Sequence, residues 1–453
     1  MKTSETSFQS TVDLLRRKTN KRIPLTLTVL MILAASPLSA DEVTKWNELV
    51  NQLALSSSLA DLNPNLQSRM MAMAHTAMHD ALNAIDRRYQ TYGQRLPLTP
   101  GASPEAAAAT AAYTVLSDQL GRMVPLGFPP QQAEVSAAYV ASLGSIPGGP
   151  AKTLGIEIGQ AAAAQILALR AADRAYELPV IDPNYPQGNA PGEYRFTPPF
   201  TFAFETKWGN VPPFVLRSSD SFGPGAPYPV NSRRYLDDYN EVKSLGGDGV
   251  VTRSARTSDQ TQIALFWLES SLIGWNRIAR SASATQRLNL WENARLFALL
   301  NLALADGYIG VSRAKYDFNF WRPITAIREG EADGNRETAG DPSWTPLSTT
   351  PPTPDHDSGH SVEGGAAAEV LEDFFDDSRF RFRTCSMSLP AGSRCTDPSP
   401  VFRSYMSFAD AAMENGLSRI YVGIHFRRAV TEGIEHGRRI GNRAVRQFLR
   451  PVQ

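Results

Sequence analysis

Small and apolar residues recur at helical spacing along most of this chain. Residues 66–88 (LQSRMMAMAHTAMHDALNAIDRR) place apolar side chains three and four positions apart, the repeat that lines one face of an α-helix. The same repeat runs through 104–119, 130–143, 151–175, 231–245, 257–271, 285–309, 358–376, 400–422 and 427–449. Alternating runs of the kind that build strands are few. A chain patterned this way buries its stripes by packing helix on helix. One stretch, 178–230, breaks the pattern with Pro, Gly and aromatic residues and reads as a long ordered connection. The pattern predicts a mainly α protein of two helical halves: 41–230, which includes the connection, and 231–453. A length of 453 residues is enough for both.

Residues 1–40 read differently. A basic start with Arg16, Arg17, Lys18, Lys21 and Arg22 precedes an uncharged run over 23–40 that ends in small residues, and Asp41-Glu42 follows. That order predicts a secretory signal and export to the periplasm or beyond the cell. A permanent anchor is the alternative, against which stand the shortness of the run and Pro24 and Pro37 within it. No later segment is long and clean enough to span a bilayer. Export suits the two cysteines, Cys385 and Cys395, whose Ser-, Pro- and Gly-rich surroundings predict a disulfide closing a short loop.

The chain carries 45 Lys plus Arg against 45 Asp plus Glu, so no global field draws in nucleic acid or an anionic membrane. A basic site in such a chain is local. Three segments supply one: Lys315-x6-Arg322-Pro323, Ser358-Gly359-His360 and Ser418-Arg419-x5-His425. Lys315 and Arg322 are two helical turns apart, about 10 Å on one face. Pro323 disfavours helix at Arg322 and predicts a new helix beginning at the proline. Ser358 stands where a helix N-cap belongs; the helix start and Gly359 favour an approaching anion, with His360 close enough to exchange protons. Arg419 and His425 lie about 120° apart on an ideal helix and share a site only if the helix breaks, for which Gly423 is the candidate. His425, between Ile424 and Phe426, is expected to stay neutral and keep a nitrogen lone pair. Each segment alone has a plainer reading: surface cations, a capping serine, a core histidine. Together, in order and with matched spacings, they read as one cage for a tetrahedral oxyanion.

The set resembles the signature shared by vanadium-dependent haloperoxidases and the type-2 phosphatidic acid phosphatase superfamily. MAHTAMHDALNAIDRRY (73–89), WGNVPPFVL (208–216), YLDDYNEVKSLG (235–246), QIALFW (262–267) and KYDFNFWRPITAIRE (315–329) are similar to the bacterial haloperoxidase-like group. The resemblance implies an all-α fold of two four-helix bundles with the anion in the C-terminal one. It implies that Lys315, Arg322 and Arg419 neutralise the oxygens of vanadate or phosphate, that Ser358 and the Gly359 amide hydrogen-bond them, that His425 binds vanadium or attacks phosphorus, and that His360 is the acid–base residue. Two activities follow: a peroxidase that uses vanadate, hydrogen peroxide and halide to make hypohalous acid, or a phosphatase that hydrolyses a phosphomonoester through a phosphohistidine. Chain length and the extra N-terminal half favour the peroxidase. A non-catalytic oxyanion binder is a third reading, against which His360 speaks.

Three positions depart from the family pattern. Asp357 stands where Pro usually precedes Ser-Gly-His and is expected to place negative charge beside the site and raise the proton affinity of His360. Thr353 replaces the aromatic or His that often shapes halide reactivity, with His356 a nearby candidate substitute. Ala429 replaces the Asp that supports the ligand histidine, leaving Thr431 or Glu432 to compensate, or nothing. Among the other histidines, His75 and His79 have a metal-ligand spacing but sit in a core-like pattern and are expected to pack, whereas His436 reads as solvated or capping. Trp321 and Phe320 either wall the pocket or pack the bundle. Association into a homo-oligomer is left open.

Overall fold

The helix Leu290–Phe318 organises the second half of the chain and part of the first. It is apolar nearly all round, and such a helix is stable only when buried. Among the described residues it alone is long and apolar enough to cross a bilayer, but 94% of its most apolar window is covered by protein. The computed structural model describes residues 41–56, 63–123 and 131–452. The predicted signal, 1–40, lies outside them. Residues 40–453 form one unit.

In chain order the helices are α1 (Glu42–Ser56), α2 (Pro64–Asn83), α3 (Pro104–Met123), α4 (Gln132–Gly144), α5 (Pro150–Leu169), α6 (Arg233–Leu245), α7 (Ser258–Phe266), α8 (Ser271–Gln286), α9 (Leu290–Phe318), α10 (Pro323–Arg328), α11 (Gly359–Phe375), α12 (Phe408–Val422) and α13 (Arg427–Gln447). Two short antiparallel ladders and two 3₁₀ turns, Trp208–Asn210 and Gly330–Ala332, complete the regular structure of the described residues. Ile181–Asp182 (β1) pairs with Ala203–Phe204 (β2), and Phe382–Thr384 (β3) pairs with Arg403–Tyr405 (β4). The fold is all-α, as the spacing predicts.

The first half packs α2, α3 and α5 together, and α9 lies against α2 on one side and α11 on the other. Gly159 on α5 permits close packing against α3: a Cβ there would lie 2.5 Å from the Ala107 carbonyl oxygen. In the second half α11 packs along α13 and against α12. The connection 178–230 holds little regular structure, yet it is tied down. Asp306, buried on α9, accepts the amides of Phe214, Val215 and Leu216 at 2.6, 2.8 and 2.8 Å. One carboxylate thus satisfies three consecutive main-chain donors in a part of the connection outside its short β1–β2 ladder.

Several boundaries differ from expectation. The pattern over 257–271 is not one helix: α7 ends at Phe266 and α8 begins at Ser271. Helix α8 itself, SLIGWNRIARSASATQ, has weak intrinsic propensity in its Ser-, Gly- and Asn-bearing sequence and is held by tertiary burial. The pattern over 285–309 extends to Phe318, while 400–422 opens as strand β4 before α12 starts at the Ser407 cap. Cys385 and Cys395 form the expected disulfide, Cα–Cα 5.2 Å. His75 and His79 pack in the core as expected, bonded to Asn47 and Asp80. His436 is neither solvated nor capping: it is fully buried, its Nδ1 3.0 Å from Asp357 Oδ2.

Asp306→Ala strips the partner from three buried amides. It is expected to lower stability by about 3 kcal/mol in urea unfolding, with Asp306→Asn costing less because one acceptor remains.

Candidate active site

The site lies where four chain segments end or begin. Lys315 is on the last turn of α9, which stops at Asn319 in the left-handed region (φ 48°). Arg322 is the N-cap of α10, whose first residue is Pro323, as the sequence predicts. Ser358 is the N-cap of α11. Arg419 is on the last turn of α12, which closes at Gly423 with φ 88°. A side chain could not replace that hydrogen cheaply: besides the positive φ, a Cβ would lie 2.5 Å from the Gly246 carbonyl oxygen. The break at Gly423 swings His425 off the helix axis, which resolves the angular mismatch between Arg419 and His425.

His425 is buried between two partners. Its Nδ1 lies 2.9 Å from Asp355 Oδ1, and its Nε2 lies 3.0 Å from the Arg322 guanidinium. A guanidinium only donates and a carboxylate accepts, so the hydrogen sits on Nδ1 and the lone pair on Nε2. Burial first, then Arg322, Lys315, Arg419 and His360, hold the proton affinity of His425 well below the ordinary range. Arg322 touches the ring, and Lys315, Arg419 and His360 stand near enough for their charge to act on it. Burial pushes the Asp355 carboxyl up to about 7, against the pull of Arg322 and Lys315.

The cations differ in what they have left to give. The Lys315 ammonium donates to the carbonyls of Pro354, Asp355 and Asp357 at 2.9, 3.0 and 2.6 Å, which uses all three of its hydrogens. It organises the loop before Ser358 and acts on an anion by charge; burial, with Arg322 nearby, brings it down to about 7. Arg322 holds both the carbonyl and the hydroxyl of Thr353, the Ile424 carbonyl and His425. Arg419 donates only to Ser418 Oγ and the Trp267 carbonyl, which leaves three of its five N–H groups.

Ser358 does not cap its helix through its side chain. Its Oγ is buried and unpartnered, while its amide donates to the Ala429 carbonyl at 3.0 Å and its own carbonyl accepts from Ser361 and Val362. The first-turn amides of Gly359 and His360 have no carbonyl one turn earlier in the helix to bond. A free hydroxyl, first-turn amides and three Arg419 N–H groups fit a small oxyanion, and the His425 lone pair joins them when Arg322 gives up its hydrogen bond to Nε2. Gly359 and His360 are partly open to solvent, unlike the rest of the set. His360 Nε2 lies 3.1 Å from the Glu269 carbonyl oxygen, so Nε2 bears the hydrogen and Nδ1 is its basic atom. Burial and Arg419 hold its proton affinity well below the usual imidazole range.

This corrects the expectation for Asp357. Its carboxylate turns away to His436, and His360 is lowered rather than raised. Nor is His356 a stand-in for the residue at Thr353: it is buried, donates from Nε2 to the Gly225 carbonyl and meets Phe318 edge-on. Thr431 and Glu432 do not support His425. Thr431 bonds Arg428, and Glu432 pairs with Arg428 and the Gly225 amide. Asp355 does so instead, from another segment; its only trace in the sequence is a carboxylate three residues before Ser358. Trp321 and Phe320 are buried, Phe320 against Tyr235 and Phe426, and pack the bundle.

The chain is similar to known proteins in sequence and in fold. Residues 295–453 match the family model for the second helical-bundle domain of vanadium chloroperoxidase. The vanadium chloroperoxidase of Curvularia inaequalis is 26% identical over 80% of this chain and 74% of its own. In structure the chain is similar to a bacterial vanadium-dependent iodoperoxidase (TM-score 0.73, 24% identity, 91% of this chain and 97% of that one). It is also similar to the holo form of a bacterial vanadium-dependent chloroperoxidase (TM-score 0.69, 17% identity, 91% and 98%).

If Asp355 fixes the tautomer of His425, Asp355→Ala is expected to weaken orthovanadate binding about ten-fold or more, measured by fluorescence titration, with the fold retained.

Proposed function

We propose that this chain, vanadium haloperoxidase-like in its fold and its second bundle, oxidises halide with hydrogen peroxide at a vanadate held by His425. The observation that carries the reading is the neutral imidazole whose Nε2 lone pair faces a cluster of cations while Asp355 holds Nδ1. The net reaction takes halide, hydrogen peroxide and one proton to hypohalous acid and water. When bound, vanadate supplies a Lewis-acidic centre that activates hydrogen peroxide toward halide without changing its own oxidation state.

The residues divide the rest of the work. His425 Nε2 is the protein ligand. Ser358 Oγ, the first-turn amides of α11 and the free N–H groups of Arg419 donate to the oxygens of the anion. Lys315 and Arg322 supply positive potential from fixed positions, already bonded to the main chain, so little reorganises during turnover. His360, neutral and partly open to solvent, takes the proton of incoming hydrogen peroxide on Nδ1 and later returns it. The disulfide between Cys385 and Cys395 supports assignment of the protein to an oxidising compartment outside the cytoplasm, in keeping with the predicted signal.

Purified apoprotein loaded with orthovanadate is expected to brominate a phenol dye with bromide and peroxide, and to lose that activity when vanadate is withheld. His425→Ala is expected to abolish vanadate binding. His360→Ala is expected to keep binding but lower turnover by about a hundred-fold. No vanadate-dependent bromination, together with vanadate-inhibited hydrolysis of a chromogenic phosphomonoester, would sink the peroxidase reading in favour of the phosphatase.

A further inference from the structure

Glu363 is a carboxylate built into the cage. It sits on α11 one turn beyond Gly359, and only 3% of it is exposed. Its side chain curls back toward the start of the helix: a Cβ placed on Gly359 would meet Glu363 Oε1 at 3.4 Å and nothing else within 4 Å. The Ser271 and Tyr308 hydroxyls stand close enough to pull on the carboxylate, yet among the described residues no donor meets its other oxygen, Oε2, in good hydrogen-bond geometry, and that oxygen is buried. Two cations of the site, Lys315 and Arg419, feel its charge, and for Arg419 it is the one acidic group that does so appreciably. Nothing in the peroxidase scheme above uses it.

A buried carboxylate oxygen without a donor is costly, and it stays costly if the incoming ligand brings no hydrogen. Apart from the neutral imidazoles, which offer lone pairs at His425 Nε2 and His360 Nδ1, every other group turned toward the anion is a donor or a positive charge. Glu363 instead places a carboxylate, through Oε1, beside Gly359 at the start of α11. Asp355 also leaves one oxygen unpaired, but it stands at the Nδ1 edge of His425, and Asp357 is engaged by His436.

We propose that Glu363 is a specificity-determining residue: its carboxylate accepts a hydrogen bond from a proton-bearing oxyanion such as hydrogen phosphate or hydrogen vanadate, and rejects sulfate, which has no hydrogen to offer. The inference rests on the oxyanion-site reading above. Its logic is that of an unpaired acceptor facing the wrong ligand: like charge and an unmet hydrogen bond act together against sulfate, whereas the tetrahedral shape and oxygen count of the two ligand classes are the same.

Calorimetric titration of the full chain with orthophosphate and with sulfate at pH 8 tests it. Burial pushes the Glu363 carboxyl up to about 7, so at pH 8 it is ionised and the shared hydrogen has to come from the ligand. Wild type is expected to prefer phosphate by about a hundred-fold or more. Glu363→Gln and Glu363→Met both remove the charge, and each is expected to narrow that ratio at least about ten-fold, mainly by gaining sulfate. Glutamine, which can donate, gains more. Equal affinity of wild type for both anions overturns the assignment, as does an unchanged ratio in a folded variant. Failure of both variants to fold, judged by circular dichroism and melting, also overturns it, because the carboxylate would then be a structural counter-ion of Arg419. Wild type that binds phosphate and vanadate but not selectively strikes this inference alone; wild type that binds neither overturns the functional reading and this inference with it.

Discussion

The constraint on which the rest of the structure depends is the burial of Lys315, Arg322 and Arg419 around one histidine. Charges taken out of water are costly unless their hydrogens find partners, and although Asp355, Asp357 and Glu363 act on them from nearby, among the described residues none of the three cations makes a direct ion pair. The chain meets the cost mostly with main-chain oxygens. Lys315 spends its ammonium on the carbonyls of 354, 355 and 357, and Arg322 reaches the carbonyls of 353 and 424. Carbonyl dipoles satisfy hydrogen bonds without cancelling charge, so the cluster stays folded while the two guanidiniums keep their charge and Lys315, brought down to about 7, adds its own below that pH. A carboxylate paired to each cation would give a comparably satisfied interior with no appetite for an anion.

That arrangement explains why so much of the second half consists of helix ends. Carbonyls free to serve a cation, and amides free to serve an anion, occur together only where helices stop and start. The ends of α9 and α12 bring Lys315 and Arg419; the starts of α10 and α11 bring Arg322 and Ser358. The bonds that fix these ends to one another are long-range: the Ser358 amide to the Ala429 carbonyl, Arg322 to Ile424, Asp355 to His425. The long helix α9, buried in apolar neighbours through most of its length, gives the cluster a rigid base. The three amides held by Asp306 keep the irregular 178–230 connection against that same helix.

The sequence made much of this legible, for identifiable reasons. Helical periodicity is local, so ten patterned stretches foretell helices with errors mainly at their ends. Pro323, Ser358 and Gly423 act through backbone chemistry within a residue or two, and each marks the helix boundary it was expected to mark. What escaped detection depends on distance in the chain. The partners of His425 and His436, Asp355 and Asp357, are 70 and 79 residues away, and two acidic residues in a polar loop look alike until the fold shows that one faces each imidazole. Asp357 was expected to act on His360 because it is near in sequence; a turn of the chain sends its carboxylate elsewhere. Nothing in the helical pattern around Glu363 sets it apart, and the packing of α9, α11 and α12 is what buries it beside the cage.

The same cage would suit a phosphoryl group or a vanadate, since both are oxyanions that its donors and cations would hold in the same way. The protonation of His360 separates them. A phosphatase needs this residue as an acid for the leaving group in its first step, and therefore as an imidazolium. A peroxidase needs it first as a base. Burial and the neighbouring Arg419 depress its proton affinity, and the Glu269 carbonyl, which takes the Nε2 hydrogen, offers only a dipole where a carboxylate would have stabilised the charged ring. With Asp357 turned toward His436, no acidic residue adjoining it in the chain restores that proton. The imidazole that results is neutral and basic at Nδ1, suited to accept a proton from hydrogen peroxide and poorly suited to arrive already carrying one.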